Sequence, residues 1–414
     1  MSDFQKNAPL EGQRSLSILH ISGRSDHGGG PEHLFQVIST ESKEITHFIA
    51  CPETGVYWTR YESFLTKYRL ISIPHRRFSL FAVHRLRKFI VANGIDIIHS
   101  HGTCAGLYSR LLSILVGIPV IHTFHGVPVT FSAKHMVHRC VENVLSHITH
   151  QAIAVSDGEA NIIRNRWPVY RDKLSVIYNG IKEVPSADFS EKFTNKSIKI
   201  ISFSRNNHQK NPNLLIELAS CLSRSNINFH VEVYGEGIAD PCLIEKARKR
   251  GLENIISFHA PHDDPATILS RGDIYLSTSR WEGMPISILE AWRSGLLVVA
   301  TDVVGNRDLI EDHLNGRLYT SDDGEEAARV IESLVSDKLE MERLRRNAVI
   351  AFQNQYTQEA MTNMLWKVYS RCASGRTVVS TSRLSSALVF SAQDSSKEQG
   401  PTSAIQDVES RQVV

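Results

Sequence analysis

Short apolar runs alternate with longer stretches of helical period, and they do so in two separate series. The first series opens with LSILHIS (16–22), which leads into a glycine loop and the candidate helix PEHLFQVIS. IDIIHSHG (95–102) reads as a strand and loop, with helical pattern from about Thr103. IPVIHTFHG (118–126) is again strand then loop, and QAIAVSDGEANIIRN (151–165) is strand, Ser-Asp helix start and helix. LSVIYNGI (174–181) ends the series, and the polar segment KEVPSADFSEKFTNKS (182–197) breaks the pattern as a linker would. The alternation then restarts with IKIISFS (198–204), NFHVEVYGEG (228–237), NIISFHA (254–260), DIYLSTS (273–279) and LLVVATD (296–302). Apolar runs this short, spaced by helices, suit strands buried on both faces of a parallel sheet. The expected class is therefore α/β, with two Rossmann-like, doubly wound parallel-sheet domains facing a cleft. A chain of 414 residues is long enough for both.

The domains are expected over 1–182 and 183–354, followed by a segment at 355–373 and a Ser-rich tail at 374–414. The tail lacks sustained periodicity and reads as disordered, with LSSALVF as an alternative short docking strand. A net charge of +2 gives no electrostatic footprint for nucleic acid. Six cysteines without a CxxC pair suggest neither a zinc ribbon nor a disulfide framework, so a reducing, cytoplasmic setting is the default. No apolar run approaches the roughly 20 residues that span a bilayer. The N-terminus, MSDFQKNAPLEGQRS, lacks the apolar core of a signal peptide.

In open α/β sheets, ligands bind at the loops beyond the carboxyl ends of the strands, and the unusual residues fall there. SGRSDHGGGPEHL carries Gly28, Gly29 and Gly30 directly after the first strand. Glycines allow backbone N–H groups close to an anion; a flexible turn is the other reading. GxGxxG is not matched, because His33 stands at the third glycine, and GEGIAD (235–240) fails in the same way, so a dinucleotide oxidoreductase is poorly supported. In SRNNHQKNP, Arg205 and Lys210 follow a strand and suit a diphosphate, although either would serve in a solvated basic turn. SRWEGMPISILEAWRSG (279–295) sets Glu282 before Gly-x-Pro and Glu290 in the helix beyond it, so a helix start able to meet an anion lies between two carboxylates. His99, His101, His122 and His125 collect at two strand ends. With no Cys or acidic neighbour they favour a cleft hydrogen-bond donor and satisfied structural histidines over a metal site.

Taken in order, these segments resemble the retaining glycosyltransferases of family 4, which have the GT-B fold. The resemblance runs from about Leu16 to Tyr369 and is carried by the glycine loop with Glu32, IIHSHG, HTFHG, AVSDGEANII, VIYNGI, SRNNHQK, VYGEG and EGMPISILEAWRSGLLVVATDVVGN. It departs from the family pattern at Asn306, Asp308 and Ala260. The resemblance implies a nucleotide-sugar donor, UDP-linked by default, and a saccharide or lipid-linked acceptor in polysaccharide, lipopolysaccharide or glycolipid assembly. It implies that Arg205 and Lys210 hold the diphosphate, Glu290 the ribose, and Glu282 the sugar. Backbone at Gly283 and Met284 would meet the diphosphate or sugar, His125 would reach the donor sugar, and Gly29 and Gly30 would lie against the diphosphate. No cofactor and no metal are expected, and the helix near 356–370 should cross back to the N-terminal domain. A nucleotide-sugar epimerase and a catalytically silent nucleotide-sugar binder share the architecture; intact Arg205, Lys210, Glu282 and Glu290 speak against the silent binder.

Residues 60–88 hold eight Lys or Arg and one acidic residue, Glu62. RRFSLFAVHRLRKFI mixes this charge with apolar residues at helical spacing. Two readings are open: a helix packed on the sheet with a solvated basic face, or peripheral contact with an anionic membrane, on its inner face.

Overall fold

The computed structural model of the chain describes residues 15–40, 42–127, 133–184, 197–262 and 264–374. The expectations for the N-terminal segment, most of the linker and the tail fall outside these residues. Both series of apolar runs form parallel sheets. The first sheet contains β1 (Leu16–Ser22), β2 (Ile45–Cys51), β3 (Leu70–Ser72), β4 (Ile97–His101), β5 (Val120–Thr123), β6 (Gln151–Ala154) and β7 (Leu174–Val176). The second contains β8 (Ile198–Phe203), β9 (Phe229–Tyr234), β10 (Ile256–His259), β11 (Ile274–Ser277), β12 (Leu297–Thr301) and β13 (Arg317–Tyr319). Strand orders are β3-β2-β1-β4-β5-β6-β7 and β10-β9-β8-β11-β12-β13. Winding therefore reverses between β1 and β4 and between β8 and β11, and the crevice beyond those strand ends is where such sheets bind ligands.

The strands β2, β3 and β13 were not read from the sequence. β3 and β13 have three residues each, too few for a period to register. LSVIYNGI forms a strand only as far as Val176; its end instead pairs in an isolated bridge between Ile181 and Thr357.

Apolar residues fill both faces of each sheet. Leu19, Ile21 and Ile98 pack against Val83, Leu86 and Ile90 of the Leu80–Ala92 helix. On the opposite face, Ile18, Ile97, Ile121 and Ile153 pack against Met361, Leu365, Val368 and Tyr369 of the Gln358–Ser374 helix. This last helix thus lies on the first sheet, although the chain reaches it only after the second.

Candidate active site

The two switch points open into one cleft of about 770 Å³. The loop after β1 and the start of the Gly29–Ile38 helix bring Gly29 and Gly30 to its wall, and the loop after β5 brings His125. From the second sheet, the loop after β8 supplies Arg205 and Lys210, and the loop after β11 with its helix supplies Glu282, Gly283, Met284 and Glu290. The nine residues to which the resemblance gives a role at the donor all line this cleft; of the other clustered histidines, His101 lines it and His99 and His122 do not.

Backbone contacts fix the loops to one another. Arg280 N–H donates to Gln209 O at 2.8 Å, and Thr278 Oγ1 donates to Lys210 O at 2.8 Å. Lys210 Nζ then reaches Glu282 Oε1 at 2.6 Å, with little of either side chain exposed. Arg205 makes no hydrogen bond or ion pair through its guanidinium among the described residues. Burial lowers its pKa most, and the charge of Arg24 across the cleft lowers it further. A cation held this way has donors to offer an anion. Glu290 lies in the Ile286–Arg293 helix, for which Pro285 is the N-cap. Its carboxyl is pushed up to about 8, by burial first and by the Glu32 carboxylate second.

Gly283 is held by a close approach: a Cβ there would lie 2.6 Å from Gly126 N, so the turn after β11 touches the turn that carries His125. Gly29 is different, since a Cβ there would meet nothing within 4 Å. It leaves open space beside the N–H groups that begin its helix. Asp264 accepts from Ala266 N–H and Thr267 N–H and so caps the Pro265–Leu269 helix, as a helix start requires.

Several contributors were not found by sequence reasoning. Glu159 accepts from Gly126 N–H at 2.6 Å and from Val155 N–H at 3.0 Å, bracing the turn beside His125. Burial pushes its carboxyl up to about 7 against the pull of those N–H groups. Asn179 donates to Met284 O at 2.8 Å and bonds His33 Nδ1 at 2.9 Å, joining three segments that are distant in sequence. Asp308, one of the departures from the family pattern, accepts from Gly158 N–H at 2.8 Å and from Gly305 N–H at 2.9 Å. Asn306, another, donates to Thr301 O at 3.0 Å.

Two family models match the chain in tandem. Residues 184–349 match the model described as glycosyl transferases group 1. Residues 44–183 match the model described as glycosyltransferase family 4. The chain belongs to the group 1 glycosyltransferases. Its fold is GT-B. The UDP-Gal:alpha-D-GlcNAc-diphosphoundecaprenol alpha-1,3-galactosyltransferase of Escherichia coli is 26% identical over 288 residues, which is 66% of this chain and 73% of the relative. The O-antigen biosynthesis glycosyltransferase WbnH of Escherichia coli is 24% identical, over 74% of this chain and 87% of that one. The crystal structure of Anabaena Alr3699/HepE in complex with UDP and glucose superposes with a TM-score of 0.74 at 19% identity, covering 86% of this chain and 100% of that one.

In this glycosyltransferase the first sheet carries a chain of buried imidazoles behind His125. His101 Nδ1 lies 3.3 Å from His125 Nε2, His20 Nδ1 lies 3.2 Å from His101 Nε2, and His47 Nδ1 lies 3.0 Å from His20 Nε2. His99 bonds Tyr369 OH and Thr123 Oγ1, each at 2.8 Å, and His122 bonds Ser100 Oγ at 2.9 Å. Burial lowers the pKa of every ring in this group, and neighbouring basic side chains lower most of them further. Neutral rings can pass one N–H along each link. The groups His20/His99/His101 and His33/His101/His125 each bring one nitrogen per ring within 4.8 Å of one another, so the rings gather more closely than the sequence suggested. Most of those nitrogens are engaged as above, whereas His33 Nε2 is buried without a hydrogen-bond partner among the described residues. Spacing alone groups His99, His101, His122 and His125; register adds His20, directly opposite His99 in the β1–β4 pairing.

Proposed function

We propose that this glycosyltransferase moves a hexosyl group from a nucleotide-sugar, most simply a UDP-sugar, to a saccharide or lipid-linked acceptor with retention of configuration. The observation that carries the reading is the convergence of Arg205, Lys210, Glu282, Glu290 and His125, from separate loops and helices of both sheets, on one cleft. Arg205 and Lys210 meet the donor diphosphate and stabilise its charge as the glycosidic bond breaks. The N–H groups near Gly29, Gly30, Gly283 and Met284 add fixed dipoles. Glu290 receives the ribose, Glu282 sits against the sugar, and neutral His125 offers a ring N–H to a sugar hydroxyl. The departing phosphate takes the proton of the attacking hydroxyl on the face it leaves from, so retention requires no protein nucleophile.

One relative is named for a UDP-galactose donor and a lipid-diphosphate acceptor, another for O-antigen biosynthesis, and the structural neighbour was crystallised with UDP and glucose. These support the donor class and a place in polysaccharide or glycolipid assembly. No helix among the described residues is long and apolar enough to cross a membrane. Peripheral contact with anionic lipid through residues 60–88 belongs to the same reading, because a lipid-linked acceptor has to be met at a bilayer surface. The experiment is nucleotide release from a panel of UDP- and GDP-sugars, with and without acceptor. Turnover without acceptor to an epimer of the sugar would overturn transfer, and binding without turnover of any donor would leave a nucleotide-sugar binder.

A further inference from the structure

Arg76 lines the same cleft and has no role in the donor site proposed above, although its charge reaches Arg205. It lies beyond β3 in a left-handed backbone conformation, φ 49°, which disfavours any residue with a Cβ. Its N–H donates to Gly23 O at 3.0 Å, which ties this turn to the loop after β1. Within that loop, Arg24 Nε and Nη2 grip the Asp26 carboxylate at 2.7 and 3.0 Å. Arg76 Nη2 stands 3.6 Å from the same carboxylate and makes no hydrogen bond among the described residues, and 53% of its side chain is exposed. Although burial raises Asp26, the hydrogen bonds and charge of Arg24 and the charge of Arg76 hold its carboxyl below the ordinary value. Two guanidinium groups thus share one carboxylate, and the surplus charge is the fork of Arg76, facing the cleft.

The segment just beyond Arg76 is apolar and exposed. Phe78 lies at the cleft wall with 42% exposure, near Tyr108 at 5.0 Å between ring centroids. Leu80 and Phe81 begin the next helix with 72% exposure each, while Ala82, Val83, Leu86 and Ile90 of that helix are buried. A nucleotide has no use for such a surface, whereas a hydrocarbon chain leaving a charged headgroup does.

We infer that Arg76, steadied by Asp26 and Arg24, binds the diphosphate of an acceptor sugar linked through diphosphate to a lipid, and that Phe78, Leu80 and Phe81 receive the start of its hydrocarbon chain. This rests on the reading of the cleft as a glycosyl-transfer site and adds the chemical class of the acceptor. A planar fork matches the oxygens of a diphosphate better than a point charge does. Arg205 and Lys210 are left for the nucleotide.

The test is calorimetric titration of undecyl diphosphate into protein saturated with UDP, beside undecyl monophosphate, inorganic pyrophosphate and undecanol. Undecyl diphosphate should bind at least tenfold more tightly than each of the other three. Arg76→Gly accepts the left-handed turn without strain and so removes the side chain while keeping the fold. It should weaken undecyl diphosphate at least tenfold and leave UDP affinity within twofold, and Arg76→Lys should fall between the two. Equal binding of undecyl diphosphate by wild type and Arg76→Gly would overturn the inference, as would undecanol binding as tightly. Loss of UDP affinity in Arg76→Gly would overturn it too, by assigning Arg76 to the donor. Failure of the wild type to bind UDP at all is a separate result: it strikes the UDP-sugar reading, and the comparison of wild type with Arg76→Gly, then made without nucleotide, still decides the role of Arg76.

Discussion

Lys210 Nζ and Glu282 Oε1 stand 2.6 Å apart, a charge pair made between the loops after β8 and β11 and directed into the cleft. Each group neutralises the other. On the proposed reading a donor diphosphate would compete with Glu282 for the lysine, so the carboxylate would both hold the cation in place and restrain it.

This pairing gives the first prediction. Glu282→Gln keeps the shape of the side chain but releases Lys210 from an opposing charge, so UDP should bind at least as tightly as to wild type while turnover falls. Lys210→Ala removes the charge proposed to meet the leaving group and should lower kcat/KM on the order of a hundredfold. Initial rates together with UDP titration separate the two effects. Weaker UDP binding with unchanged turnover in Glu282→Gln would take Glu282 out of the chemistry.

Metal chelation is the second. The cleft offers Arg205, Lys210 and helix-start N–H groups where a diphosphate would leave. Among the described residues, the side-chain groupings suited to an ion consist of histidines, which favour zinc-like ions over the magnesium or manganese of oxygen-ligand sites. Donor turnover should therefore be unchanged in excess EDTA. Complete loss on chelation, with recovery on adding magnesium or manganese, would contradict that expectation.

The third prediction concerns acid. His33 and His47 are lowered to about 4 by burial, and His20, His99, His101, His122 and His125 are lowered for the same leading reason. Below the ordinary histidine value of 6.5, the unfolded chain binds protons that the folded chain refuses. Their contribution to stability is complete above 6.5 and is lost as pH falls towards 4. Glu159 and Glu290, raised to about 7 and about 8, work the other way: their contribution is complete below 4.5 and is lost as pH rises through those values. Seven groups outweigh two on the acid side, so Tm should fall steeply between pH 6.5 and 4 and only gently from neutral to pH 8. A Tm that does not change from pH 7 to pH 5 would show that the histidines are not held neutral.

Membrane contact is the fourth. Of the basic residues in 60–88, Arg60 is already committed: it pairs with Glu32 at 3.1 Å and lies over the Phe35 ring at 4.4 Å. Arg85, Arg87 and Lys88 are exposed on the Leu80–Ala92 helix. Each is expected to contribute about 1 kcal/mol near an anionic surface, an effect that salt screens. The protein should float with anionic liposomes at low salt and be released at high salt, and the Arg85→Ser, Arg87→Ser, Lys88→Ser triple variant should bind less. Failure of the wild type to float at low salt would dismiss the surface.

The sequence was most legible where a local pattern is repeated. Strands such as LSILHIS and LVVAT carry their own apolar signature, and the loop after each one was visible as a change of composition. Arg205, Lys210, Glu282 and Glu290 could be chosen because they stand in short segments next to strand ends. Asn179 and Glu159 could not, since their importance comes from what they touch: Met284 and His33 for one, the backbone of Gly126 for the other. The histidine chain was half visible for the same reason. His99 and His101 announce themselves by spacing, whereas His20 and His47 join them only through the register of three strands. Arg60 is one of the eight basic residues of 60–88 in sequence, and its ion pair to Glu32, 28 positions away, leaves no local mark there.

The chain passes between the two sheets twice, and its two crossings are bound to each other. Ile181 N–H donates to Tyr356 O at 3.1 Å, and Gln358 N–H donates to Ile181 O at 2.9 Å. Two connections stitched at one point act as a hinge pin. Sliding of one crossing past the other would have to break these two bonds, whereas a rotation about Ile181 that parts Gly126 from Gly283 would leave them in place.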